Sequence, residues 1–93
     1  MIKRRFNKSS IAEVPADKPI LYNLKTATGN SNYVGVAKKG RVRQRLGEHL
    51  PGGLAPIPAK TMEIKQFSSI SDARATEKRA IKRKQPKYNR NLK

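Results

Sequence analysis

Cysteine is absent from this chain. That one absence excludes a disulfide framework, a thiolate metal site and a thiol nucleophile. Tryptophan is absent too, and aromatic residues make up 5% of the 93 positions. A chain of this length buries only about 60–65% of the surface its unfolded form exposes, so the core is small and mostly aliphatic. No apolar run approaches the roughly 20 residues that span a bilayer. The start, MIKRRFNKSS, carries charge without the apolar segment of a secretory signal. A single domain without disulfides fits the cytoplasm, which is the expected location. Acids are scarce as well: six Asp and Glu stand against 22 Lys and Arg, for a formal net charge of +16.

A small body at that charge repels itself and attracts polyanions. Nucleic acid is the expected partner, because every phosphate neutralised by a cation releases a condensed counterion. DNA is the first choice and RNA remains open, since phosphate contacts do not distinguish them. A membrane surface would want bulky apolar residues opposite the basic face. The basic segments here offer Val, Leu, Ile and Ala instead, so no membrane role is expected.

Residues 1–18 read as a basic N-terminal arm, a disordered tail or a strap along a phosphate backbone, with Phe6, Ile11 and Val14 available to dock on the domain but no visible period. The domain proper is expected over 19–93. PILYNLK (19–25) alternates Ile20, Tyr22 and Leu24 against Leu21, Asn23 and Lys25, a strand pattern. TATGNSN has turn chemistry, and NYVGVAK (32–38) is a second strand, so the two predict an antiparallel hairpin. Gly35, inside that strand, predicts a close approach by another group. GRVRQRLGEHL (40–50) repeats Val42, Leu46 and Leu50 at helical spacing. Arg45 and His49 border that stripe, while Arg41 and Gln44 point elsewhere. PGGLAPIPAK (51–60) is a loop, and TMEIKQF (61–67) alternates as a third strand. Ser69 and Ser71 offer caps for a final helix that stops before Pro86. The expected fold is α/β: a small three-stranded antiparallel sheet flanked by helices, in the order ββαβα.

Glu77 is the odd residue of that last helix. Ile70, Ala73, Glu77, Ala80 and Ile81 share one face, so a carboxylate sits in the middle of an apolar stripe. An inward carboxylate needs a partner, because burying an unpaired charge is costly. The partner is either one of the many Arg and Lys side chains or a divalent metal at the edge of the sheet.

Other candidates are bland one by one. His49 is the single histidine, beside an apolar stripe. Arg45 reads as a solvated helix charge, Tyr22 and Tyr33 as sheet residues, and Asn89 as a turn residue. Together they offer a proton relay, a cation, a metal ligand and an amide on a strongly basic protein. Those are the parts of a phosphodiester-cleaving site.

These residues also carry a family resemblance. Tyr22 lies in ILY and Tyr33 in YVG, eleven residues apart; Arg45 and His49 lie in RLGEH, Glu77 in EKRAI and Asn89 in PKYN. The ordered set, from about residue 19 to 89, resembles the GIY-YIG nucleases. Ile20 and Leu21 stand where the first motif has glycine and isoleucine, and Arg43 competes with Arg45 as the arginine of the helix motif. The resemblance implies a metal-dependent endonuclease. In that scheme Glu77 binds one Mg²⁺ or Mn²⁺, Tyr33 is the general base, and Tyr22 orients water or relays its proton with His49 in support. Arg45 holds the phosphate and Asn89 fixes the site. Lys38, Lys39, Arg41, Arg43, Lys78, Arg79, Lys82, Arg83 and Lys87 are expected to contact nucleic acid. No zinc finger or helix-turn-helix is present, so the expected nuclease is structure-directed or weakly sequence-specific, or is guided by a protein partner or by homodimerisation. The rival expectation is a non-catalytic basic nucleic-acid-binding protein.

Overall fold

A computed structural model describes residues 1–89. The elements run β1 (Ile2–Arg5), α1 (Lys8–Ala12), β2 (Ile20–Lys25), β3 (Ser31–Ala37), α2 (Val42–Glu48), β4 (Thr61–Gln66) and α3 (Ile70–Lys84). All pairings are antiparallel, and the strand order across the sheet is β1-β4-β2-β3.

The expected hairpin, middle helix, third strand and last helix all form. The expected strand count and element order need correction: the sheet has four strands and the chain has three helices. The difference arises in residues 1–18, which read as an arm. Ile2–Arg5 pairs with β4 from Ile2 opposite Ile64 to Arg5 opposite Thr61. The segment IKRR lacks a visible alternation, because only its first residue is apolar. It becomes a strand because β4 would otherwise leave a row of unpaired backbone groups. Asn7 then caps α1 by accepting from the Ser10 amide at 2.8 Å. Phe6, Ile11 and Val14 all bury into the core.

Alternation assigns the two faces of the sheet. Ile20, Tyr22 and Leu24 of β2 and Met62 and Ile64 of β4 point into the main core, where Val42 and Leu46 of α2 meet them. Residues of the other parity, such as Leu21 and Asn23, face the opposite way. α3 packs over β2 and β3, using small side chains, Ala73 and Ala80. Ser69 caps this helix by accepting from the Asp72 amide at 3.1 Å. The helix ends at Gln85, which takes a left-handed conformation with φ 46° before Pro86. Among the described residues no helix is long and apolar enough to cross a membrane.

Candidate active site

Strand register builds the centre of the site. Tyr22 pairs directly with Gly35, and Leu24 pairs with Tyr33. Both tyrosines therefore project from the same face of neighbouring strands, with ring centroids 6.1 Å apart. Gly35 leaves room for the end of the Tyr22 ring. A methyl group there would lie 2.5 Å from the Tyr22 hydroxyl oxygen and 2.6 Å from Cζ. The close approach expected at Gly35 is thus made by Tyr22 itself.

α2 delivers the third ring. Val42 and Leu46 bury one stripe of the helix, and His49 follows as its C-terminal cap. Its ring centroid lies 4.8 Å from that of Tyr33 and 5.6 Å from that of Tyr22. His49 Nδ1 is 2.8 Å from the Ala55 carbonyl oxygen, and Nε2 is 2.9 Å from the Tyr22 hydroxyl. A carbonyl can only accept, so Nδ1 carries the hydrogen. In the neutral ring Nε2 is then a lone pair, and the Tyr22 hydroxyl donates to it. Burial lowers the His49 pKa, the Ala55 carbonyl counteracts this, and the Arg45 cation lowers it further. The net effect favours the neutral ring over the cation.

Arg45 lies one turn earlier on α2, largely exposed, with Nη1 3.6 Å from Glu48 Oε1. Its guanidinium is close enough to favour the phenolate forms of both tyrosines. Burial works the other way and raises both tyrosine pKa values. For Tyr22, fully buried, burial dominates. Tyr33 is half-buried, so it is the tyrosine that solvent reaches.

Glu77 is half-buried in the middle of α3. Its charge is felt at both tyrosines. Burial raises its pKa, and Arg74 and then Arg45 pull it back. It makes no ion pair within 4 Å among the described residues. No Arg or Lys side chain among the described residues is therefore in direct contact with it. No group of three or more His, Cys, Asp or Glu side chains converges among the described residues. A single desolvated carboxylate suits a largely hydrated Mg²⁺ or Mn²⁺, which takes its other ligands from water and substrate phosphate. It does not suit Zn²⁺, which needs three or four protein ligands.

Beside these residues opens a cleft of about 250 Å³, between the end of β3, α2 and the start of α3. Lys38, Arg41, Gln44, Arg45, Glu48 and Arg74 line it above Val36, Ala37 and Ile70. Four cations and one acid give it a positive lining suited to phosphate. Arg41 and Gln44, expected to point elsewhere, line the cleft with Arg45 and Glu48, because positions 41, 44, 45 and 48 fall on one face of α2. Arg74, Gln44 and Glu48 were not among the sequence candidates. Arg74 had one signal, its place three residues before Glu77 on the same helix.

Asn89 is buried against the edge of β3. Its Oδ1 accepts from the Val34 amide at 2.7 Å and its Nδ2 donates to the Val34 carbonyl at 2.9 Å. Tyr88 N donates to the Asn32 carbonyl at 2.9 Å. The PKYN segment thus closes the free edge of β3 as a substitute strand would, directly behind Tyr33 and Gly35. Arg43 is also accounted for: its Nε donates to the Val14 carbonyl at 3.0 Å, which ties α2 to the N-terminal segment. Arg45, not Arg43, borders the tyrosines. Lys39, Lys78, Arg79, Lys82, Arg83 and Lys87 are exposed. Lys87 Nζ lies 5.6 Å from the centre of the Tyr88 ring.

No protein-family model matches this chain, and no curated protein matches it.

Proposed function

We propose that the protein is a metal-dependent endonuclease of GIY-YIG type, acting on DNA, with RNA as the alternative backbone. One observation carries the reading. Tyr22, Tyr33, Arg45, His49 and Glu77 come from separate strands and helices, yet they share one electrostatic neighbourhood beside a positive cleft. A protein that merely bound phosphate would need the cations, and would gain nothing from a desolvated carboxylate and a tyrosine–histidine pair beside them.

In this scheme Arg45, Arg41, Arg74 and Lys38 hold the phosphate oxygens, and Arg45 offsets charge that builds in the transition state. Glu77 holds Mg²⁺ or Mn²⁺. The bound ion supplies Lewis-acid stabilisation of the scissile phosphate and the leaving oxygen. Tyr33, the accessible hydroxyl, meets the attacking water as general base. Its raised pKa is the obstacle, and Arg45 is the residue that lowers it. The Tyr22 hydroxyl donates to His49 Nε2, and a relay through it would have to hand that proton to His49 against the effect of burial on both groups. Asn89 and Gly35 position β3 and do not touch substrate. The cleft has no base-reading module beside it among the described residues, which supports recognition of substrate structure, or guidance by a protein partner or a homodimer.

The test is nicking of supercoiled plasmid with Mg²⁺ or Mn²⁺, with and without chelator, for the parent and Glu77→Ala. Chelator-sensitive nicking is expected in the parent and none in the variant, with DNA binding retained or tightened because a negative charge has gone. Nicking that survives in Glu77→Ala overturns the metal-ligand assignment. DNA binding without nicking on plasmid, branched DNA or RNA identifies a non-catalytic nucleic-acid-binding protein.

A further inference from the structure

α3 covers only half of the second sheet face. The strands β1 and β4 carry the uncovered half, and here the alternation brings out charge. Lys3 of β1 pairs with Glu63 of β4, Arg5 pairs with Thr61, and Lys65 lies one step further along β4. Paired residues share a face, so Lys3, Arg5, Lys65 and Lys25 of β2 all project from it. A groove of about 210 Å³ runs between this half-sheet and the C-terminal half of α3. Arg83 and Lys84 form its helical bank, with Thr76 and Ala80 on the same side. It shares no lining residue with the positive cleft of the candidate active site.

The charge balance of this surface indicates its ligand. Glu63 is its one acid, and it is already neutralised: Lys25 Nζ is 3.1 Å from Glu63 Oε2 and Lys3 Nζ is 3.9 Å from the same oxygen. The remaining cations are exposed and have no ion-pair partner among the described residues. Asn23 is buried at the floor of the groove, with 7% of its surface exposed. Its Oδ1 accepts from Ser31 Oγ at 2.6 Å, and no buried side-chain polar atom among the described residues is left without a partner. The groove thus offers exposed cations beside a polar floor, a combination that suits phosphate oxygens.

We propose that this half-face is a second phosphate-backbone contact, engaged by a nucleic acid independently of the cleft. The choice of nucleic acid as the polyanion rests on the functional reading above. The surface exists because the N-terminal segment forms a strand; without β1, Lys3 and Arg5 would not join it. An anionic membrane is the other polyanion to consider, and it would want bulky apolar residues on the same face. Only Met1 at the groove edge is large, apolar and exposed.

The experiment is equilibrium binding to a fluorescent 30-base-pair duplex in chelator, across a series of KCl concentrations. The proteins are the parent, a Lys3→Ala/Lys65→Ala/Lys84→Ala variant and the matching triple Lys→Arg variant. All three positions are exposed, and an unchanged Tm checks that the fold is kept. The alanine variant is expected to bind roughly ten- to a hundredfold more weakly near 0.1 M salt, with its salt slope shallower by about 2–3 units, close to one per lost phosphate contact. The arginine variant is expected to match the parent. An alanine variant with the parent's affinity and slope overturns the second contact. So does a variant that loses binding to phosphatidylserine vesicles and keeps its binding to duplex. A parent that binds no duplex overturns both this proposal and the choice of nucleic acid. Duplex binding that weakens as expected, with no metal-dependent cleavage by the parent, supports the surface and removes only the nuclease reading.

Discussion

The two faces of this sheet are built by different rules. On one face, Ile20, Tyr22, Leu24, Met62 and Ile64 meet Val42 and Leu46 in a dry aliphatic layer. On the other, α3 lies against β2 and β3 through alanines, and half the sheet is left to charged residues. The first face supplies most of the burial and so most of the stability. The second is thin, and its thinness lets a carboxylate sit half-buried in the middle of a helix. The candidate site lies on the border between them, at β3. Tyr22 belongs wholly to the dry layer, Tyr33 is half out of it, and Glu77 comes from the thin one. Ionisable groups on such a border are desolvated enough to be perturbed and open enough to meet a substrate.

The sharpest way to break the contrast is Asn89→Ala. It strips the Val34 amide and carbonyl of their partners at the edge of β3, and each unpaired group costs about 1–3 kcal/mol. Chemical denaturation is expected to show a loss of about 2–4 kcal/mol, with cleavage lost as Tyr33 loses its backing. If stability is unchanged, the side-chain clamp is not what holds the edge. Gly35→Ala comes next. The added methyl collides with a buried ring that cannot swing away, an overpacking cost of about 1–3 kcal/mol. Near-UV circular dichroism is expected to report displaced tyrosines in this variant, while the far-UV spectrum stays the same.

Tyr22→Phe keeps the ring in the dry layer and removes one oxygen. His49 Nε2 then loses its donor, which costs about 1–2 kcal/mol. The histidine pKa, read by NMR, is expected to move, because its lone pair no longer accepts from a phenol. An unmoved titration would break the tautomer assignment.

The smallest effects are those of pH, and the two faces give opposite signs. Burial depresses the His49 pKa. In the window between that value and the ordinary one near 6.5, the unfolded chain binds more protons. His49 therefore contributes stability above that window, and the contribution is lost as pH falls through it. Burial raises the Glu77 pKa. The folded chain holds that proton longer, so its favourable contribution is present at low pH and lost as pH rises through the raised value. In chelator at neutral pH, Glu77→Gln is therefore expected to raise Tm, and the gain is expected to vanish below the ordinary carboxylate range. Added Mg²⁺ is expected to raise the Tm of the parent and leave the variant unmoved. A glutamine variant less stable than the parent at neutral pH would show that the carboxylate is paired after all.

Much of this was legible in the chain. Alternation gave β2, β3 and β4 their places and faces, because a period of two survives in sequence wherever one face is buried. Gly35 announced a close approach, and helical spacing put Glu77 among alanines. β1 was not legible, since IKRR has no alternation and its pairing depends on an edge contributed some sixty residues later. Arg74 and Gln44 were not legible as cleft residues for the same reason. Their neighbours across the cleft come from other elements, and no local pattern encodes that meeting.

The sequence by itself determined the charge, the absence of thiol chemistry, three strands, two helices and the residue types available for catalysis. These follow from composition and short-range periodicity, which act residue by residue. The tertiary structure alone decided which of two arginines borders the tyrosines, which nitrogen of His49 carries the hydrogen, and that Asn89 holds a strand edge. Each of these depends on what a side chain meets from a distant segment, and burial and hydrogen bonding are properties of that meeting.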